Sequence, residues 1–158
     1  MKALQSLTEL FAYHVTDAAN LEVWAEDGDL VCTQGALVDG FDVIYTVNIN
    51  LSAVDVKPHT LMMHIVSWLN QYDVDRSEKG LPPPSFATQM LDKGLCDIKL
   101  KIDIQEHYHL NENEHGSWLQ EGVRYDCVSG FEKAVIESEL PPLEFIGGQE
   151  MDLPHAND

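Results

Sequence analysis

The chain has 158 residues, enough for one domain with a real core and too few for two ordinary ones. Its 27 acidic residues against 9 Lys and Arg give a formal net charge of -18, which excludes a protein that tracks nucleic-acid phosphates or docks on anionic lipid, since both need cationic side chains. Hydrophobic residues at 44% exclude an apolar-poor disordered chain, so a folded soluble domain is expected.

From Met1 to about Ala19, the residues Leu4, Leu7, Leu10, Phe11, Val15 and Ala18 recur at steps of three and four, the period of an amphipathic helix. Asn20 supplies a stop. Leu21, Val23 and Ala25 then alternate with Glu22, Trp24 and Glu26, a half-buried strand. Asp27-Gly28 predicts a two-residue hairpin turn, because such turns need positive φ, with Leu30 to Thr33 as the returning strand. After a loop from Gly35 to Gly40, Phe41, Val43, Tyr45, Val47, Ile49 and Leu51 alternate with residues that are polar except for Ile44. At roughly 3.3 Å per residue this strand is about 35 Å long. Such a length predicts a central strand, or one that extends beyond the domain body.

Lys57-Pro58 opens a second helix, since proline suits the first turn. Leu61, Met62, Ile65, Val66, Trp68, Leu69 and Tyr72 give it a broad apolar face, as a helix lying on a sheet requires. Asp73 to Pro84 reads as an exposed connection, Phe86 to Leu91 as a short strand, and Asp92-Lys93-Gly94 as a turn. Cys96, Ile98, Leu100, Ile102 and Ile104 then alternate with polar residues. Two clean alternating strands favour an antiparallel sheet with one dry face. The expected fold is α+β, a mainly antiparallel twisted sheet with two helices packed on one face and an acidic C-terminal extension. Beyond Leu110 the pattern degrades: 111–116 is polar, and Val123 to Val128 is the last expected strand. Residues 1–130 read as one domain and 131–158 as an acidic tail; from Ile102 onward 13 acids meet only Arg124 and Lys133, so 11 of the 18 net negative charges fall there.

The common nucleophile, phosphate-loop and zinc-protease motifs are absent, and no enzyme activity and no cofactor are expected. Cys32, Cys96 and Cys127 form no CxxC pair and read as reduced thiols in a cytosolic setting, with Cys32 and Cys96 on inward positions. Polar residues through the first 20 break any signal-peptide core, and no window approaches a membrane span. His107, His109 and His115, with Glu106, Glu112 and Glu114 nearby, are the one metal alternative, because His107 and His109 share a strand face and could both reach one ion. The competing reading is an exposed strand end rich in His, and no metal is expected. His14, His59 and His64 read as surface or boundary residues. Trp24, opposite the apolar side of its strand, either covers core from the second side or is an exposed anchor for a protein partner. Trp118 poses the same choice. In the acidic tail, Leu143, Phe145 and Ile146 between charged flanks could order against another protein, the alternative being a solvated tail.

The order of these features is similar to the tail completion protein R family of contractile-tailed temperate phages. It rests on the stretch LEVWAEDGDLVCTQG, the long strand FDVIYTVNINLSAVDV and the helix KPHTLMMHIVSWLNQYDVD. The resemblance is best over residues 2–75, continues loosely through FATQMLDKGLCDIKLKIDI and fades after about Ile104, leaving EHYHLNENEHGSW and the acidic tail without a family pattern. It implies a non-enzymatic structural protein of the virion tail, assembled in the host cytoplasm and similar in role to tail terminators. Such proteins form a ring, commonly sixfold, on the last disc of the tail tube, end tube and sheath growth, and present a surface for joining the head. The implied partners are the tail tube protein, sheath and head-tail connector proteins, and further copies of the chain in a hexameric ring. No specific nucleic-acid binding and no membrane are expected. The alternative from a different class is a small acidic inhibitor or DNA mimic that binds a basic toxin or nuclease. A mimic needs carboxylates at regular spacing on one face, whereas here they are scattered over strands, loops and tail.

Overall fold

In the computed structural model the described residues, 1–14 and 18–132, form two helices and six strands. In chain order these are α1 (Lys2–His14), β1 (Leu21–Val31), β2 (Gly40–Val54), α2 (Pro58–Tyr72), β3 (Ser85–Met90), β4 (Cys96–Glu112), β5 (Trp118–Gln120) and β6 (Val123–Ser129). The expected α+β class is the observed one.

The 17-residue β4 organises the sheet. Along one edge it pairs with β2, from Gly40↔His109 to Val54↔Cys96. Its other edge is shared end to end by β3, from Ser85↔Lys101 to Met90↔Cys96, and β6, from Tyr108↔Ser129 to Glu112↔Tyr125. β1 lies outside β2, β5 lies outside β6, and every pairing is antiparallel. The long strand read at 41–51 is thus central, flanked on both sides.

Period-two alternation puts Tyr45, Val47, Ile49 and Leu51 directly opposite Ile104, Ile102, Leu100 and Ile98 on one buried face. Ala3, Leu7 and Phe11 of α1 and Leu61, Ile65 and Trp68 of α2 join the same core. Burying each large apolar side chain contributes about 1.5–3 kcal/mol, so these two strands and two helices carry the fold. Pro58 starts α2 after an extended Lys57, and the helix closes where the Asp73 N–H donates to the Leu69 carbonyl. Phe131 stacks on Tyr72 at 5.4 Å, so the chain beyond β6 returns to α2. No helix among the described residues is long and apolar enough to cross a membrane.

Several expectations are corrected. Asp27-Gly28 does not turn a hairpin: β1 runs on through it and both halves pair with β2, the register stepping between Glu26↔Thr46 and Asp29↔Ile44. Two residues therefore face one, a β-bulge, and Asp27 takes the positive φ of 54° that the motif signalled. Ala53 does the same at φ 50°, where the β2–β4 register steps between Leu51↔Ile98 and Val54↔Cys96. Cys32 is exposed just past the end of β1, not inward, whereas Cys96 is buried as read. The helix expected to reach Ala19 is α1 over Lys2–His14, with a separate 3-10 turn at Ala18–Asn20. The polar stretch 111–116 begins with the end of β4, and a short strand the sequence does not announce, β5, follows it before β6. β5 joins β6 through Glu121 and Gly122, both at positive φ, the turn that follows the right-handed twist of a hairpin.

The connection from Asp73 to Pro84 is anchored. Between its β3 and β6 partners, β4 leaves the stretch 102–106 without a neighbouring strand among the described residues. Arg76 fills that place: its Nη1 donates to the Asp103 carbonyl at 2.6 Å and to Asp73 Oδ2 at 2.7 Å, and its Nη2 to the Pro82 carbonyl at 2.5 Å.

Candidate functional site

Both helices cover one face of the sheet, and among the described residues no helix covers the other. Its rows follow from the register. Trp24, Asn48, Lys101 and Ser85 lie side by side across β1, β2, β4 and β3, and Glu22, Asn50, Lys99 and Ala87 form the next row. Glu26, Thr46 and Asp103 form a third. Thr46 donates to Asp103 Oδ1 at 2.6 Å, and the Trp24 indole N–H to Glu26 Oε2 at 3.1 Å. Lys101 Nζ stands 3.9 Å from Glu26 Oε1. Trp24 is 37% exposed on this face among the described residues. The face mixes both signs of charge and carries no regular array of carboxylates.

Trp118 sits on β5 and is 47% exposed. Beside it, the Gln120 amide bridges the loop after β1, accepting from the Val38 N–H at 2.8 Å and donating to the Val38 carbonyl at 3.3 Å. Leu37, Val38, Trp118 and Leu119 are all exposed at this end of the molecule. Leu143, Phe145 and Ile146 lie outside the described residues.

His107 and His109 share the outer face of β4 with ring centroids 6.2 Å apart, and His107 Nδ1 lies 2.7 Å from Asp42 Oδ1. His115 falls in the turn between β4 and β5, its N–H donating to Asn113 Oδ1. Among the described residues no three His, Cys, Asp or Glu side chains converge to hold a metal ion. His107 and Asp42 border a hollow of about 360 Å³ with Tyr72, Lys79, Glu106 and Phe131. A His–carboxylate pair orients a general base, but its lining offers no Ser, Thr or Cys for that base to activate.

Glu106, which the sequence groups with the His-rich strand end, is instead a buried carboxylate, 1% exposed on the core face of β4. It accepts from the backbone N–H groups of Lys2 at 3.1 Å and Ala3 at 2.8 Å, which opens α1, and from Tyr45, Tyr108 and Ser129 hydroxyls. Burial alone would raise its pKa, but the donors from Tyr45, Ala3, Tyr108 and Lys2 together outweigh it and hold the carboxyl below its usual value. Burial and the Glu106 charge push the Tyr108 phenol up to about 12. A carboxylate with every lone pair occupied is a poor proton acceptor, so Glu106 anchors α1 to the sheet. Its sequence signal was Glu106 continuing the inward parity of Ile102 and Ile104.

The model of a protein family, P2 phage tail completion protein R (GpR), matches residues 1–126. The chain belongs to this family. It is a structural component of the phage tail, where it meets other tail proteins. The match runs through both helices and five strands into β6, so tail completion extends well beyond the point near Ile104 where the resemblance was read to fade. The stretch 106–118 is family sequence, and six of the 13 acids counted from Ile102 lie within the matched residues. The charge therefore belongs to the family-matched residues as well as to those beyond them. Comparison with curated proteins and with solved structures found no match.

Proposed function

We propose that this tail completion protein caps the head-proximal end of the tail tube as a sixfold ring, ending growth of tube and sheath and offering the head-tail connector its docking surface. The observation that carries this reading is the family match over nearly all of the folded body. Trp24 and Trp118 are the proposed aromatic anchors toward a protein partner, since Trp is enriched among the residues that dominate interface energetics. Leu143, Phe145 and Ile146 are proposed to contact a tail partner through the acidic C-terminal segment. Assembly takes place in the host cytoplasm in this reading.

The acidic balance supports it physically. Genomic DNA must pass such a ring without being held, and an acidic lumen repels phosphates where a basic one would release counterions and bind. The test is electron microscopy of purified tail tubes incubated with the protein. A cap at one end only is the expected outcome, and tubes that stay bare at both ends overturn the reading.

A further inference from the structure

We infer that copies of this chain join head to tail by adding the β3 edge of one copy to the β1 edge of the next, continuing one antiparallel sheet around the assembly. The inference rests on the ring reading above and names its contact.

The sheet is bordered by β1 on one side and, end to end on the other, by β3 and β5, and among the described residues none of the three is paired on its far side. Natural sheets protect such edges with charges, prolines or bulges. The β3 hexapeptide, Ser85–Met90, has none of these, in a chain with a net charge of -18. All six of its residues are exposed, with Phe86 at 60% and Met90 at 64%. An uncharged, regular edge that exposes Phe86 and Met90 is one suited to be covered.

Strand directions permit a ring. β1 and β4 run one way, and β2 and β3 the other. A neighbour in the same orientation therefore presents its β1 antiparallel to β3, with its helices on the same side of the sheet. This heterologous contact is the kind that closes cyclic assemblies.

The lengths and side chains also match. Before its bulge, β1 offers six regular residues, 21–26, to the six of β3. Aligned Leu21 with Met90 and Glu26 with Ser85, the half-buried Leu21, Val23 and Ala25 extend the helix-side layer against Met90, Thr88 and Phe86. On the open face, Glu22, Trp24 and Glu26 come to Gln89, Ala87 and Ser85. Ser85 and Ala87 are small, and behind them stand Lys101 and Lys99. Two strand spacings, about 10 Å, separate Glu26 and Trp24 of the neighbour from these lysines, within reach of a Lys and a Glu side chain extended toward each other. Glu26 then meets Lys101, and the Trp24 ring meets the Lys99 ammonium. Within one copy the Lys101–Glu26 contact is long, at 3.9 Å, with both side chains exposed, so each is available to a neighbour.

The test places Trp24→Cys and Ala87→Cys on one chain whose exposed Cys32 and Cys127 are changed to Ser. Three strand spacings, about 14 Å, keep the new thiols from bridging within a copy. Mild oxidation on tail tubes should give a ladder of covalent multimers ending at a closed size, and neither single-cysteine chain should give it. In parallel, Ser85→Glu with Gln89→Glu should abolish multimers by setting carboxylates against Glu26 and Glu22, and adding Glu22→Lys with Glu26→Lys should restore them. If the wild-type protein caps tubes but the ladder is missing and the glutamate variant caps equally well, the edge contact is wrong and the capping role stands. If the ladder and the charge rescue appear but no tube is capped, the edge contact stands and the capping role falls.

Discussion

Glu106 ties the first residues of the chain to the middle of its central strand. A carboxylate at a helix N-terminus both accepts orphan N–H groups and complements the helix dipole, and here two backbone donors and three hydroxyls converge on one buried group. Glu106→Gln would turn an amide N–H₂ toward donors, and loss of stability is expected at about 3 kcal/mol, read from urea unfolding at neutral pH. Because its folded pKa is depressed, its contribution is present above the unfolded value of about 4.3 and lost as pH falls through the folded value. Wild-type stability should therefore drop below about pH 4, and the Glu106→Gln curve should be flatter there. The residue was legible as inward-facing from its parity, but its partners were not. Lys2 and Ala3 are more than 100 positions away in the chain, and no local pattern reports such a contact.

Among the elements, β1 shows what a turn signal means and what it leaves open. Asp-Gly reports a residue able to take positive φ, and Asp27 does take it, but the same conformation serves a hairpin or a bulge. The choice went to the bulge because β2 is long enough to pair with β1 on both sides of the kink. Ala53 occupies the left-handed region without the short polar side chain that eases it there, while its N–H donates to Asp97 Oδ1 at 2.8 Å. Ala53→Gly should raise stability by about 1 kcal/mol, seen as a higher urea midpoint with an unchanged slope. A midpoint that falls would show that the bulge is not strained by the methyl group. Arg76 works at the same scale, substituting for a strand beside β4. Arg76→Lys, which cannot span Asp73, Asp103 and Pro82 with one fork, should cost about 1–3 kcal/mol and speed hydrogen exchange at 102–106.

For the whole molecule, charge sets the conditions of stability and assembly. A net charge of -18 on 158 residues repels itself in the compact state, and repels a second copy more strongly. Raising NaCl from about 20 to about 500 mM should lift the melting temperature by a few degrees as the Debye length shrinks from tens of ångströms to a few. The same change should favour multimers on the tube. A melting temperature that falls with salt would place the attractive pairs, such as Asp73 with Arg76 and Lys79, above the repulsion in importance.

The sequence by itself determined the α+β class, the core faces of β2 and β4 and the absence of common catalytic motifs, because periodicity and motif are local and survive in a string. The order of strands around β4, the Asp27 bulge, the Glu106 anchor under α1 and the Arg76 plug were decided only in the tertiary structure. Each depends on which distant segment arrives alongside, a competition among pairings that local pattern does not rank. The edge position of β3 belongs to this second kind: it reads in sequence as an ordinary short strand, and only its place at the border of the sheet among the described residues makes its lack of charge the ground of the proposed contact between copies.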